Sequence, residues 1–192
     1  AYPLAQKELP LRRIYSLLFV FTMFFGGGMI PDYLLVTRLK MYNTIWALII
    51  PCAISTYYLL IMRSFFASIP SDLKEAAIVD GANDFTILVR IILPLSKASI
   101  AAIGLFYAVS HWNSWFSSMI YLKNSFKYPL QLVLRNIILS TQYQLQSDQL
   151  IDTTLTSVQY ATLFISMIPM LLIYPFVQKY FVKGVLVGSI KG

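Results

Sequence analysis

TTLTSVQYATLFISMIPMLLIYPFVQ, residues 153–178, runs for 26 residues without one charged side chain. A helix needs about 20 mainly apolar residues to cross the hydrocarbon core of a bilayer. A charge at its centre costs about 2.5–3.5 kcal/mol on insertion scales, so the absence of charge is a physical requirement of a span. Three more charge-free runs stand upstream: 17 residues at 14–30, 19 at 44–62 and 25 at 98–122. Four such runs in 192 residues are too dense for buried helices of a soluble protein. A β-barrel would alternate apolar and polar residues in short segments, and these runs do not. The expected fold class is all-α, a polytopic transmembrane helical bundle with four spans in this chain.

Composition agrees. Hydrophobic residues make up 58% and charged residues 12%, with a mean hydropathy of +0.68, whereas soluble domains run near 45–50% apolar and about 25% charged. The net charge is +7, but the cations are too scattered to track a phosphate backbone, which excludes a nucleic-acid partner. One cysteine, Cys52, and one histidine, His111, allow neither an internal disulfide framework nor a zinc site built from this chain alone.

The cations report topology instead. With the N-terminal end inside, the inner segments hold Lys7, Arg12, Arg13, Arg63, Lys74, Arg90, Lys97, Lys179, Lys183 and Lys191; the outer ones hold Arg38, Lys40, Lys123, Lys127 and Arg135. This two-to-one bias predicts that both ends of the chain lie in the cytoplasm.

Each run carries its own punctuation. Gly26, Gly27, Gly28 and Pro31 end the first. Pro51 is expected to kink the second, His111, Asn113 and Ser114 interrupt the third, and Pro169 and Pro175 are expected to bend the fourth. Tyr42, Trp46, Trp112, Trp115, Tyr121, Tyr174 and Tyr180 fit interfacial aromatic belts. The outer segment 123–152 places Leu130, Val133, Leu134, Ile137, Ile138 and Thr141 at helical spacing, which predicts an amphipathic helix.

The inner segment 63–97 is the most patterned. In RSFFASIPSDLKEAAIVDGANDF (63–85), Ser71 is placed to cap a short helix, with Asp72 and Glu75 in its opening turns, where the helix dipole favours negative charge. Leu73, Ala76, Ala77 and Asp80 give that helix a small-residue face. Gly81 ends it in the left-handed conformation. A second short helix is expected over 82–92, and Pro94 sets the start of the third span. A flat alanine patch on such an elbow is suited to being gripped by another protein.

Here the chain resembles a known family. Glu75-Ala76-Ala77, Gly81, Ile91 and Leu93-Pro94, at this spacing, are similar to the EAA loop of binding-protein-dependent ABC importer permeases. The stretches 54–66, FYAVSHWNSW (106–115) and YPLQLVLR (128–135) resemble the carbohydrate-uptake branch, close to the maltose-type permeases and the LplC/YtcP group. The resemblance implies a bacterial inner-membrane, multi-pass permease of six spans, the type I architecture, so about two spans are expected to precede Ala1; the closing VKGVLVGSIKG (182–192) resembles that group's C-terminal end. It also implies partners: a second homologous permease, two ATPase subunits and an external solute-binding protein, around a chain embedded in the lipid bilayer.

The resemblance further implies a coupling loop at Glu75, Ala76, Ala77, Asp80, Gly81, Ile91, Leu93 and Pro94, gripped by the ATPases. The chain has no G-x-x-x-x-G-K-[ST] stretch to cradle nucleotide phosphates. No catalytic residue and no cofactor is therefore expected here, ATP and Mg belonging to the ATPase partners. The expected function is translocation of a carbohydrate, an oligosaccharide above all. A secondary transporter or channel is the other reading, but functional charges inside the spans, its usual mark, are missing. His111 finds no second ligand or nucleophile at useful spacing, and no carboxylate, Ser/Lys or His/Glu constellation supports a membrane-embedded enzyme. Gly184 and Gly188 have dimerisation spacing but lie in the tail, where that packing argument does not apply. Cys52 reads as a small packing residue.

For the saccharide, the third span offers Tyr107, His111, Trp112, Asn113 and Trp115. Positions 107, 111 and 115 share a stripe on one continuous helix, with 112 and 113 beside it. This set is the candidate substrate pathway, with an aromatic belt as the alternative.

Overall fold

The computed structural model describes residues 1–147 and 153–189, with side chains described at 1–143 and 156–175. Among them every regular element is helical: α1 (Tyr2–Ala5), α2 (Arg12–Phe24), α3 (Met29–Arg38), α4 (Trp46–Ile49), α5 (Thr56–Ala67), α6 (Ser71–Val79), α7 (Asp84–Ile87), a π-turn (Leu88–Ile92), α8 (Leu93–Leu95), α9 (Lys97–Trp112), α10 (Trp115–Tyr121), a 3₁₀ turn (Ser125–Lys127), α11 (Leu130–Ser147) and α12 (Thr153–Ser189).

Only the fourth charge-free run forms one unbroken helix, and α12 continues through Pro169 and Pro175. Within it Thr156–Pro175 is long and apolar enough to cross a membrane. Among the described residues it is the one such helix, or one of three if each bent pair, Arg12–Phe24 with Met29–Arg38 and Asp84–Leu95 with Lys97–Trp112, counts as a single span. The first run breaks between Phe24 and Met29, where Gly28 takes φ +88°, a conformation glycine adopts without a steric penalty. The second run is interrupted rather than kinked: α4 stops at Ile49, Pro51 follows, and helix resumes only at Thr56. Proline removes a backbone donor and its ring clashes with the preceding turn, so the helix cannot carry through. The third run breaks at Asn113 and Ser114.

The chain forms two compact units. The first comprises residues 1–27, 53–105 and 179–192; the second comprises 28–52 and 106–178. In the first, Tyr2, Ala77, Ile87 and Ile92 form a buried cluster, ringed by Phe66, Ile69, Ala82, Leu88 and Ile91. Tyr2 meets Phe66 edge to face at 6.0 Å. In the second, Val36, Ala47, Ser118, Leu122, Leu132, Leu134, Thr141 and Thr162 are buried.

Asn43 organises the second unit's corner. It sits at φ +58°, and its amide N–H donates to the Tyr121 carbonyl at 2.8 Å. Its side-chain Oδ1 accepts from the backbone amides of Lys123 and Asn124, both at 3.1 Å, and its carbonyl accepts from Lys127 Nζ at 2.6 Å. The amphipathic helix expected in the outer segment exists as α11. Among its described side chains Leu132, Leu134 and Thr141 are buried, while Leu130, Val133 and Ile137 face outward.

Candidate functional site

Two arrangements carry chemistry, one in each unit. The first is the elbow built by 63–97. Its first arm, α6, begins at Ser71 with Pro70 as the capping residue, in extended geometry (φ −55°, ψ 134°). Ser71 therefore does not cap the helix. Its backbone is already helical, and its Oγ turns to the Asp72 carboxylate at 3.4 Å.

The arm ends as its glycine requires. Gly81 has φ +79°, its amide donates to the Ile78 carbonyl at 2.9 Å, and the Ala82 amide donates to the Ala77 carbonyl at 2.9 Å. This pair of bonds is the Schellman closure of a helix end. The second arm starts at Asp84, two residues later than the sequence predicts, because Asn83 Oδ1 accepts from the Thr86 amide at 2.8 Å and caps it. Pro94 has no N–H to continue the α-helical ladder. Ahead of it the chain widens into the π-turn, in which the Leu93 amide reaches the Leu88 carbonyl five residues back. The arm then ends at buried Ser96, whose Oγ donates to the Ile92 carbonyl at 2.6 Å.

The alanine patch divides. Ala77 is 7% exposed and packs with Ile87 and Ile92 of the second arm. Its small side chain admits the elbow's own second arm rather than an outside protein. Ala76, Glu75, Asp80 and Gly81 remain exposed, as do Leu93 and Pro94, while Ile91 leans on the core. Sequence reasoning missed two neighbours, Val79 and Phe85. They are 87% and 74% exposed, large apolar side chains flanking Gly81 on the two arms. Apolar residues on either side of a polar elbow were the available signal.

The elbow is braced from behind. Lys74 Nζ donates to Gln6 Oε1 at 2.7 Å and pairs with Glu8 at 3.3 Å. The Glu8 carboxyl is held below the usual carboxylate range by a backbone amide hydrogen bond, and further by Lys74. Arg12 Nε donates to the Leu4 carbonyl at 2.8 Å, tying α2 to the same N-terminal segment.

The second arrangement is a cleft of about 310 Å³ in the second unit, lined by Trp115, Gln131, Leu134, Arg135, Ile138, Leu139, Thr162, Leu163 and Ser166. Of the five pathway candidates only Trp115 reaches it. Tyr107 and His111 share a face of α9, but the helix ends at Trp112. The Asn113 amide closes on the Val109 carbonyl at 3.1 Å, and Ser114 on His111 at 3.2 Å. Trp115 opens a new helix after that break, so the expected 107/111/115 stripe does not continue. Asn113 is exposed, and its Nδ2 donates to the Val109 carbonyl at 3.0 Å.

What Trp115 meets instead is Arg135, whose guanidinium carbon lies 4.0 Å from the centre of the indole ring. The sequence reading placed Arg135 among the outer charges and in the 128–135 stretch, but not in the substrate pathway. The signal was present: 135 falls on the same helical face as 131, 134 and 138, a cation on the inward stripe of an amphipathic helix.

The protein family described as "binding-protein-dependent transport system inner membrane component" matches residues 11–187. The polygalacturonan/rhamnogalacturonan transport system permease protein YtcP of Bacillus subtilis (strain 168) is 43% identical, over all of this chain and 68% of its own length. Protein LplC of the same organism is 41% identical, over all of this chain and 66% of its own length. Among solved structures, a chain of a bacterial ABC transporter involved in the import of the acidic polysaccharide alginate superposes with a TM-score of 0.82 at 34% identity, covering 94% of this chain and 65% of that one. The present chain thus spans about two thirds of the length of these relatives.

Proposed function

This chain belongs to the family of binding-protein-dependent transport system inner membrane components, and on that premise we propose that it is the permease subunit of an ATP-driven importer whose cargo is an oligosaccharide. The relatives' names support the cargo class, since they specify polygalacturonan, rhamnogalacturonan and alginate. The observation that carries the mechanism is the elbow around Gly81. It is rigidly closed on its inner side by Ala77, Ile87 and Ile92, and it offers Glu75, Ala76, Val79, Asp80 and Phe85 outward.

A surface built this way transmits force. In this reading two ATPase subunits hold this elbow and its counterpart on a second, homologous permease, on the cytoplasmic side that the positive-inside bias assigns. ATP and Mg stay with those subunits. Val79 and Phe85 supply apolar contact for a groove, and Glu75 and Asp80 supply charge at its rim. Closure of the ATPases moves the elbows as rigid bodies, and the bundle alternates between inward-open and outward-open states. An external solute-binding protein delivers the saccharide at the opposite face.

The test is reconstitution of the full-length permease with its second permease, its ATPase and its binding protein in proteoliposomes. Saccharide uptake that requires ATP, the ATPase and the binding protein together supports this reading. Uptake driven by an ion gradient with the ATPase omitted would establish a secondary transporter instead.

A further inference from the structure

We propose that Arg135, held over Trp115, reads a carboxylate on the transported saccharide, so that the cleft selects uronate-bearing over neutral sugars; the inference rests on the reading that a saccharide passes along this chain. A neutral sugar is best met by an open aromatic face, and one face of Trp115, which lines the cleft, is covered by the guanidinium at 4.0 Å. The indole serves as a platform for a cation. Cation–π stacking fixes the guanidinium plane and leaves its N–H edges pointing outward, the geometry that meets a carboxylate with two parallel hydrogen bonds.

Those donors are available. Among the described residues Arg135 makes one contact through them, Nη1 to the Met119 sulfur at 3.8 Å, a weak acceptor. Among the described residues no carboxylate pairs with it, the recorded ion pair being that of Lys74 with Glu8. The guanidinium is partly open to solvent and so accessible to a ligand anion, and its surroundings fit a sugar rather than a bare ion. Thr162 and Ser166 already donate their hydroxyl hydrogens to the Val158 and Leu163 carbonyls, at 2.7 and 2.6 Å. Toward the cleft they therefore act as acceptors for sugar hydroxyls. Gln131 adds a side-chain amide able to donate and accept, and Leu134, Ile138, Leu139 and Leu163 give the apolar wall on which a pyranose ring's C–H groups rest. The cleft volume, about 310 Å³, lies at the small end of ligand pockets, the size of one or two sugar units rather than a polymer.

The test measures the permease without its binding protein, which would impose its own selectivity. The full-length permease and ATPase complex in lipid nanodiscs is titrated calorimetrically with trigalacturonate and with its methyl ester, the same saccharide stripped of charge. The wild type should prefer the acid by roughly tenfold or more, as a charge-assisted hydrogen bond gives. That ratio should fall to about one in Arg135→Gln and lie between the two values in Arg135→Lys. A wild type without preference, or a preference that survives Arg135→Gln, overturns the proposal while leaving the permease reading intact. Should Arg135→Gln fail to assemble, an Arg135→Lys ratio of one overturns it equally, because lysine keeps the charge. If neither saccharide binds and neither is taken up in the fully reconstituted system, the carbohydrate reading falls and the proposal with it.

Discussion

The Ala82 amide donates to the Ala77 carbonyl at 2.9 Å, folding the chain back over Gly81. Ala77 belongs to the buried cluster of the first unit and Ala82 packs against that cluster, so one backbone bond and the surrounding apolar packing together hold the angle between the arms of the elbow. The coupling role proposed for this segment depends on that angle being held.

Gly81 should therefore be sensitive for a conformational reason alone. A Cβ built there meets no atom within 4 Å, yet φ is +79°. An L-residue in the left-handed region costs roughly 1–2 kcal/mol, more if β-branched. The expected order of damage is Gly81→Asn, then Gly81→Ala, then Gly81→Val, read as ATP hydrolysis stimulated by the loaded binding protein. Wild-type stimulation in Gly81→Val would remove the elbow from the coupling path.

Adjacent alanines should behave differently. Ala76→Leu, on the exposed side, should weaken co-purification of the ATPase and leave the melting temperature unchanged. Ala77→Leu, 7% exposed against Ile87 and Ile92, should lower stability by about 1–3 kcal/mol through overpacking. Identical phenotypes would show that the elbow's inner and outer faces are not distinct.

Glu75→Lys reverses an exposed charge one turn into α6. The helix should survive, since Schellman closure and core packing lie elsewhere, but ATPase binding should weaken. Pull-down of the ATPase with the variant measures this, and undiminished recovery would exclude Glu75 from the contact.

Trp115→Ala removes the platform under Arg135. A cation–π contact gives about 0.5–2 kcal/mol, so saccharide uptake should fall several-fold or more. Asn113→Ala should lower uptake less, because that amide is engaged with Val109 on its own helix. Assembly of the complex, checked by size-exclusion chromatography, should be retained in both. An Asn113 effect larger than the Trp115 effect would reverse the assignment of the cleft.

The Glu8 carboxyl, held low by a backbone amide and Lys74, contributes stability above the ordinary carboxylate range. It loses that contribution as pH falls through its folded value. The group is fully exposed, so solvent screens the pair. Glu8→Gln should melt close to wild type at pH 7, and the residual difference should shrink as pH falls below the ordinary glutamate value of about 4.3. A large difference at neutral pH would mean that the brace between Glu8 and Lys74 matters far more than an exposed ion pair can.

Some features followed from the residues themselves because their physics is local. A charge-free run such as 153–178 is long and apolar enough to cross a bilayer whatever packs against it, and Gly81 can end a helix in a conformation that its neighbours adopt only at a cost. The spacing from Glu75 to Pro94 could be read for the same reason, being a fixed pattern along one chain. Other features depended on which faces meet. Ser71 lost the cap because Pro70 had already set the turn. Ala77, indistinguishable from Ala76 in sequence, faces inward because the second arm returns across it. Trp115 left the stripe of Tyr107 and His111 when the helix broke at Asn113, and it found Arg135, twenty residues on, only because α10 and α11 pack together. Backbone preferences act over a few neighbouring residues and can be read in order. The direction of a side chain depends on the elements packed around it, and only the tertiary structure supplies those.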